Sequence, residues 1–164
     1  MPWQERLQAY PSVVFLGRLT GKKNPIALIH AFALVRASVP KAKLTIIGDG
    51  PLREKLVKRI EVLGLQSAVT ILGVLDQEAA WNEMRHHWIY AQHSVSSISG
   101  DQEGFALSLA EAAAHELPVV STWHNGIPEN VIHGETGYLV REFDYEEMGM
   151  EKLTYDVQWN RLFY

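Results

Sequence analysis

Short runs of apolar, mostly β-branched residues alternate with helical segments along this chain, and that alternation restricts the fold more than any other feature. The runs occupy residues 13–16, 44–47, 69–72, 88–91, 118–120 and 138–140. Such runs are typical of parallel strands that are buried on both faces. The segments between them carry helical patterns of about 10 to 15 residues, which favours right-handed βαβ crossovers. The sequence therefore predicts an α/β fold, a doubly wound, mostly parallel sheet with helices on both faces.

Several helix boundaries carry recognisable signals. Asn24 followed by Pro25 is a capping side chain before a proline at the first helical position, and Asp76 is a second candidate cap. Helical patterns also cover residues 104–116 and begin again near 126–129. In sheets of this class ligands bind at the carboxyl ends of the strands, so we expect the functional loops there.

The length of 164 residues and the 47% hydrophobic content predict one domain with a full core. Residues 1–12 are interpreted as a linker or arm and residues 13–143 as the domain. The remaining segment, 144–164, is acidic first and aromatic later, and we expect a helical tail that ends in a docking surface or a truncation. No internal repeat or low-complexity tract interrupts this organisation.

Charge and cysteine content exclude several function classes. The net charge of −4 argues against nonspecific binding to nucleic acid or anionic lipid. Because the chain has no cysteine, disulfides, thiolate zinc sites, iron–sulfur clusters and cysteine nucleophiles are excluded. There is no apolar run of about 18 residues and no leader pattern at the start, so we expect neither a spanning helix nor a signal peptide, and a cytoplasmic location.

The loop at residues 17–24, after the first strand, combines two glycines with the cations Arg18, Lys22 and Lys23. Two cations directed into one pocket could hold a diphosphate, with the guanidinium forming bidentate hydrogen bonds and a lysine acting as a point charge. The alternative is a solvated loop with ordinary surface cations. The loop alone leaves both interpretations open.

A second candidate segment, residues 103–111, begins at Glu103 and ends at Glu111. On a helix the two carboxylates would lie about 12 Å apart along the axis, too far for a paired acid and base. They could instead bind hydroxyls at opposite ends of an extended ligand, while the amides of residues 104–106 favour an anion between them. Alternatively, Glu103 complements the helix dipole and Glu111 is simply exposed.

Two further signals are weak. The Gly48-Asp49-Gly50 turn could allow a ligand close to the backbone, but it lacks the spacing of a dinucleotide or Walker fingerprint, and a tight turn explains it equally well. The seven histidines show no metal-binding spacing and are interpreted as surface or core residues. Only His124, in a loop at a strand end, is a candidate for function.

Taken together, six motifs resemble the family 4 glycosyltransferases of GT-B type. They are Gly17-Arg18 with Lys23, Gly48-Asp49-Gly50-Pro51, Glu103-Gly104-Phe105 with Glu111, Leu117-Pro118-Val119-Val120, Gly126-Ile127-Pro128-Glu129, and the segment from Gly134 to Val140. The resemblance covers about residues 13–140. It implies the Rossmann-like, carboxy-terminal half of a retaining enzyme that needs neither metal nor cofactor.

The resemblance also implies site residues. Arg18 and Lys23 would hold the diphosphate of a nucleotide-sugar donor as the catalytic cations, with Lys22 as a substitute. Glu103 would bind donor sugar hydroxyls as the third catalytic residue, and Glu111 would bind the ribose. The remaining donor contacts implied by the resemblance come from Gly17, Gly104, Phe105, Ala106 and Leu107.

The implied function is donor binding for transfer of a hexose from a nucleoside-diphosphate sugar to a glycan or lipid-type acceptor. The acceptor domain would be an amino-terminal domain absent from this chain, so we expect the isolated domain to be inactive and any peripheral membrane contact to occur through the other half. The alternative is a non-catalytic interaction module that pairs with a separate chain, suggested by Trp159, Phe163 and Tyr164. A nicotinamide-dependent oxidoreductase is disfavoured, because no glycine fingerprint follows the first strand.

Three features depart from the family pattern. Ala106 stands where many members have glycine, and the fourth strand is less apolar than expected, with Gln92 and His93 near its end. The family also usually continues past Val140 into helices that pack on the amino-terminal domain, whereas this chain ends at Tyr164.

Overall fold

The computed structural model describes residues 11–100 and 106–153, which form a parallel sheet flanked by helices. Its six strands run in the order β3-β2-β1-β4-β5-β6, and every adjacent pair is parallel. The strands are β1 (Ser12–Leu16), β2 (Lys43–Ile47), β3 (Val69–Gly73), β4 (Ile89–Ala91), β5 (Val119–Thr122) and β6 (Gly137–Val140). The predicted doubly wound, Rossmann-like α/β fold is confirmed.

Five α-helices connect these strands. They are α1 (Pro25–Ser38), α2 (Arg53–Val62), α3 (Gln77–Met84), α4 (Leu107–Ala114) and α5 (Ile127–Asn130). Both predicted caps are confirmed, since Asn24 Oδ1 accepts a hydrogen bond from the Ala27 amide at 3.3 Å and Asp76 Oδ1 accepts one from the Ala79 amide at 2.8 Å. Each cap satisfies an amide that the first helical turn leaves without an intrahelical partner.

Several element boundaries differ from the sequence prediction by one or two residues. The fourth strand begins at Ile89 rather than Trp88, although the Trp88 side chain is buried. The helix predicted from residue 104 is described from Leu107 onward, and residues 101–105 lie outside the described residues.

Apolar side chains cover both faces of the sheet. In β1, Val13 and Phe15 join one core cluster with α1 and α2, while Val14 points to the opposite cluster with α3 and α4. Successive side chains of a strand point to opposite faces, so a strand covered on both sides is apolar at most of its positions. This two-sided burial explains the uninterrupted apolar runs in the sequence.

A π-helical segment, Glu147–Leu153, follows β6 and packs against α1. Met148 and Leu153 are fully buried in the same core cluster as α1. A Cβ added at Gly149 would overlap the carbonyl oxygen of Ala31 and lie 3.0 Å from its carbonyl carbon and Cα, so the two backbones approach closely. The predicted tail is described only as far as Leu153, and its aromatic residues Trp159, Phe163 and Tyr164 lie outside the described residues.

The strand order places β1 beside β4, and the chain reverses its direction of winding between them. In open α/β sheets, ligands bind in the crevice at the carboxyl ends of the strands at such a switch point. The crevice here is bounded by the loop after β1 and the start of α4. In the described part of the chain, no helix has both the length and the apolarity needed to cross a bilayer.

Candidate functional site

A cavity of about 410 Å³ opens at the switch point. Three segments that are distant in sequence form it: the end of β1 with its loop, the region of α3, and the first turns of α4. Its lining residues are Leu16, Gly17, Lys23, Leu75, Gln77, Ala80, Trp81, Leu107, Ser108 and Glu111. Four residues singled out from the sequence, Gly17, Lys23, Leu107 and Glu111, therefore share one cavity.

Gly17 makes room for the side chain of Lys23. A Cβ atom at residue 17 would lie 2.8 Å from Lys23 Cδ and 3.1 Å from Cε, so the lysine side chain would have to shift. The Gly17 amide donates a hydrogen bond to the Ile47 carbonyl at 2.9 Å, so the loop leaves the sheet at a fixed point. The half-buried aliphatic stem of Lys23 thus lies across Gly17 at the wall of the cavity.

The other two cations of the loop lie elsewhere. Arg18 is exposed one residue beyond Gly17 and does not line the cavity. Lys22 is half-buried, and its carbonyl accepts a hydrogen bond from the Val95 amide at 2.9 Å, which ties the loop to the segment after β4.

The Gly48-Asp49-Gly50 turn packs against the backbone of the loop at residues 17–24, called here the cation loop. The Leu19 amide donates to the Asp49 carbonyl at 3.0 Å, and the Leu52 amide donates to the Leu19 carbonyl at the same distance. An added Cβ at Gly50 would lie 2.7 Å from the Leu19 carbonyl oxygen, and Gly48 has a φ of 137°. The backbone of the cation loop occupies the space that these glycines leave, so the tight-turn interpretation is the one that fits.

Helix α4 contributes the opposite wall. Glu111 is half-buried, and one of its oxygens, Oε1, accepts a hydrogen bond from the indole Nε1 of Trp81 at 3.1 Å. Leu107 is largely exposed at the rim, whereas Ala106 precedes the helix and is fully buried without lining the cavity. Glu103, Gly104 and Phe105 lie outside the described residues, so their sequence-based roles stay predictions.

A buried polar network lies beneath the cavity. The Tyr90 hydroxyl lies 2.8 Å from both Gln92 Oε1 and Ser108 Oγ, and 3.0 Å from the Leu16 carbonyl oxygen. Gln92 Nε2 in turn donates to Ser94 Oγ at 2.6 Å. Since buried polar groups are destabilising unless hydrogen-bonded, this network explains how the fourth strand tolerates its polar end. This network was not predicted from the sequence. The signal for it was Gln92, a polar residue at the end of an otherwise apolar run.

A second polar cluster lies at the carboxyl ends of β4, β5 and β6. Glu142 accepts hydrogen bonds from His124 Nδ1 at 2.5 Å and from the Ser96 amide at 3.0 Å. Burial acts to raise the pKa of Glu142, but these two hydrogen bonds and the nearby histidines outweigh it and hold the pKa below its usual value.

His93 lies close to this cluster and is fully buried, and neither of its ring nitrogens has a hydrogen-bond partner. Burial lowers the pKa of His93 to about 4, although the charges of Asp144 and Glu142 act in the opposite direction. The ring is therefore neutral near pH 7. Within residues 11–100 and 106–153, no group of three or more histidine or acidic side chains is arranged to hold a metal ion.

The sheet has the arrangement of Rossmann-like, doubly wound α/β domains, with a lysine and a glutamate in the crevice at its switch point. The family model described as "Glycosyl transferases group 1" matches residues 3–151, and the chain belongs to this family. The relatives below are named as sugar transferases, and the resemblance inferred from the six motifs is confirmed.

Two curated relatives illustrate the similarity. The chain is 33% identical over 136 residues to the amylovoran biosynthesis glycosyltransferase AmsK of Erwinia amylovora, covering 83% of this chain and 33% of that protein. It is 34% identical over 140 residues to the GDP-mannose-dependent alpha-(1-6)-phosphatidylinositol monomannoside mannosyltransferase of Mycobacterium tuberculosis, covering 82% and 35%. The chain thus spans about one third of the length of these relatives.

Solved structures show the same fold. A mutant of S. aureus TarM, in complex with fondaparinux, alpha-GlcNAc-glycerol and UDP, aligns with a TM-score of 0.78 at 23% identity, covering 91% of this chain and 29% of that one. The C-terminal domain of the group 1 glycosyl transferase LpcC from Francisella tularensis aligns with a TM-score of 0.74 at 22% identity, covering 96% and 86%. The latter was solved as a separate domain.

Proposed function

We propose that this chain is the donor-binding domain of a retaining glycosyltransferase that transfers a sugar from a nucleoside-diphosphate sugar to a glycan or lipid-type acceptor. The observation that carries the proposal is the shared cavity at the switch point, with Lys23 on the β1 side and Glu111 on the α4 side. The relatives support it, since the mycobacterial enzyme is GDP-mannose-dependent and TarM was solved with UDP.

The donor diphosphate binds beside the loop after β1. Lys23 already lines the cavity, and Arg18, exposed on the same loop, swings inward on its long side chain when the anion arrives. Hydrogen bonds from cations to phosphate oxygens are short and strong. As the sugar leaves, negative charge builds up on the nucleoside diphosphate, and these two cations stabilise it without a metal.

The nucleoside and sugar lie along α4. Glu111 accepts hydrogen bonds from the ribose hydroxyls, while Glu103 binds hydroxyls of the transferred sugar. The family resemblance assigns sugar and phosphate contacts to the amides of residues 104–107, and the positive end of the α4 dipole favours negative charge nearby. Leu75 and Ala80 give the cavity an apolar wall on the α3 side.

The acceptor is bound by a second, amino-terminal domain. Because the chain spans about one third of its relatives, we expect this domain to bind donor without turning it over. Transfer requires the acceptor hydroxyl to be held against the donor, and proximity of this kind supplies a large part of the rate.

Titration calorimetry of the purified chain with UDP, GDP and ADP tests the proposal. We expect at least one to bind, and Lys23→Ala and Arg18→Ala each to weaken binding by about tenfold or more, the contribution of one charge-assisted hydrogen bond. Lys58→Ala, which removes an exposed lysine of α2, is the matched control and leaves binding unchanged. Binding should persist in EDTA. Failure of a folded sample to bind any of the three would overturn the proposal.

A further inference from the structure

Trp81 and Glu111 are 30 residues apart in sequence, on α3 and α4, yet they are joined by a hydrogen bond at the cavity wall. The indole Nε1 donates to Glu111 Oε1 at 3.1 Å, and both side chains are half-buried and line the cavity. The Trp81 ring also makes an edge contact with His115, with centroids 5.8 Å apart, which fixes the ring in place. The indole therefore has one contact on α4 and one on the residue that follows this helix.

This hydrogen bond restricts a flexible side chain. A glutamate has three rotatable bonds, and ordering it upon ligand binding reduces its entropy. A hydrogen-bond donor of the protein that already holds Glu111 removes much of that entropy loss before the ligand arrives, as other forms of preorganisation do. An ionised carboxylate can accept about four hydrogen bonds, so Trp81 leaves most of its acceptor capacity available.

The chemistry of the indole suits this role. Its N–H is a donor only and does not titrate near neutral pH, so it cannot neutralise Glu111 or compete as an acceptor. Ala80 and Leu75 line the same cavity and offer the carboxylate no competing hydrogen-bonding side chain. A lysine or arginine in place of the indole would instead pair with the carboxylate charge.

We propose that Trp81 is a positioning residue that holds Glu111 ready to accept both vicinal hydroxyls of the donor ribose. This inference rests on the proposed function, because it requires a nucleotide to occupy the cavity. Trp81 itself need not touch the ribose. Its effect is selective: it strengthens binding of nucleotides that carry the 2′- and 3′-hydroxyls and leaves binding of nucleotides that lack them unchanged.

The experiment compares a ribonucleoside diphosphate with its 2′,3′-dideoxy analogue by calorimetry. For the native chain we expect the ribonucleotide to bind at least tenfold more tightly. Trp81→Phe keeps an aromatic ring and removes the N–H donor, and it should reduce that preference by about fivefold to tenfold while affinity for the dideoxy analogue is unchanged. Trp123→Phe, at a half-exposed tryptophan that does not line the cavity, is the matched control and keeps the full preference.

Each remaining outcome overturns a different claim. If no nucleotide binds the folded native chain, the proposed function fails and the inference fails with it. If nucleotides bind but Trp81→Phe keeps the native preference, or weakens both ligands equally, the donor function stands and the positioning role is wrong. Thermal denaturation checks folding, and Trp81→Tyr, which also lacks the indole N–H, replaces Trp81→Phe in the same comparison if the phenylalanine variant does not fold.

Discussion

The hydroxyl of Tyr90 lies 2.8 Å from Oγ of Ser108, and this contact joins β4 to the first turn of α4 beneath the cavity. The same hydroxyl lies 3.0 Å from the carbonyl oxygen of Leu16, the last residue of β1. One buried side chain therefore connects the two strands of the switch point with the helix that carries Glu111. Through it, the cation loop and α4 keep a fixed separation.

Removing this hydroxyl should destabilise the fold and the site together. Tyr90→Phe leaves Gln92 Oε1 and Ser108 Oγ without their shared partner, and we expect the free energy of unfolding in urea to fall by about 1–3 kcal/mol. We also expect weaker nucleoside diphosphate binding, because α4 loses its tie to β1. Tyr145→Phe is the matched control, since the contact described for Tyr145 is made by its ring against His30. Equal effects of the two substitutions would contradict the prediction.

The close approach of Gly149 to α1 predicts a second effect. A Cβ at residue 149 would lie 3.0 Å from both the carbonyl carbon and the Cα of Ala31, and these backbone atoms can move only if the helix shifts. Gly149→Ala should therefore lower the free energy of unfolding by about 1–3 kcal/mol, the usual effect of overpacking. Gly21→Ala is the control, because its Cβ would meet only Ser97 at 3.5 Å, an ordinary contact. A Gly149→Ala variant as stable as the native chain would show that the π-helical segment can move away from α1 without loss of stability.

Glu142 joins three segments at the carboxyl edge of the sheet, so its charge should matter for stability. Glu142→Gln keeps the shape but weakens the hydrogen bonds from His124 and Ser96, and we expect the free energy of unfolding at pH 7 to fall by about 1 kcal/mol. The pKa of Glu142 is lowered in the folded state, so its contribution is present above pH 4.5 and declines as the pH falls through the folded value.

Urea titrations at a series of pH values measure this contribution as the difference between variant and native chain. Glu146→Gln, at an exposed carboxylate nearby, is the control and should have no effect. A difference that stays constant down to the lowest pH would rule out the ionised carboxylate as the cause.

The sequence predicted the strands, their parallel arrangement and the loop that carries Lys23, because burial on both faces and turn residues leave local signals. Lys23 and Glu111, which the sequence assigned to one site, line the same cavity, and their roles stay predictions. Contacts between residues that are distant in sequence could not be predicted from the sequence. Trp81 and Glu111 meet only because α3 and α4 flank one crevice, and nothing in either segment alone indicates the other.

Two other features could not be predicted from the sequence. Gly48 is a turn glycine in the sequence, but its need for space comes from the backbone of Gly17, in the loop after β1. The segment from Glu147 has a helical composition, yet π-helical geometry is rare and is selected here by packing on α1 rather than by propensity. In both cases the decisive neighbour is remote in sequence.

The buried His93 should make stability depend on pH between its unfolded and folded pKa values. The unfolded pKa is near 6.5 and the folded pKa about 4, so in that interval the unfolded chain binds the proton more tightly. The contribution of neutral His93 is therefore fully present above pH 6.5 and is lost as the pH falls toward 4, by about 3 kcal/mol in total. The carboxylates of Glu142 and Asp144 lessen this loss, because they favour the charged ring.

His93→Leu removes the titrating group and two unpaired nitrogens from the core. We expect the variant to be at least as stable as the native chain at pH 7, because no buried polar atom is left unpaired there, and to lose stability less steeply from pH 6.5 to 4. The free energy of unfolding in urea, measured at half-unit pH steps, gives both slopes. His86→Leu, at an exposed histidine that precedes β4, controls for the loss of a histidine and should keep the native slope. If His93→Leu kept it too, the acid sensitivity would have to arise from the carboxylates, and the neutral buried ring would not be its source.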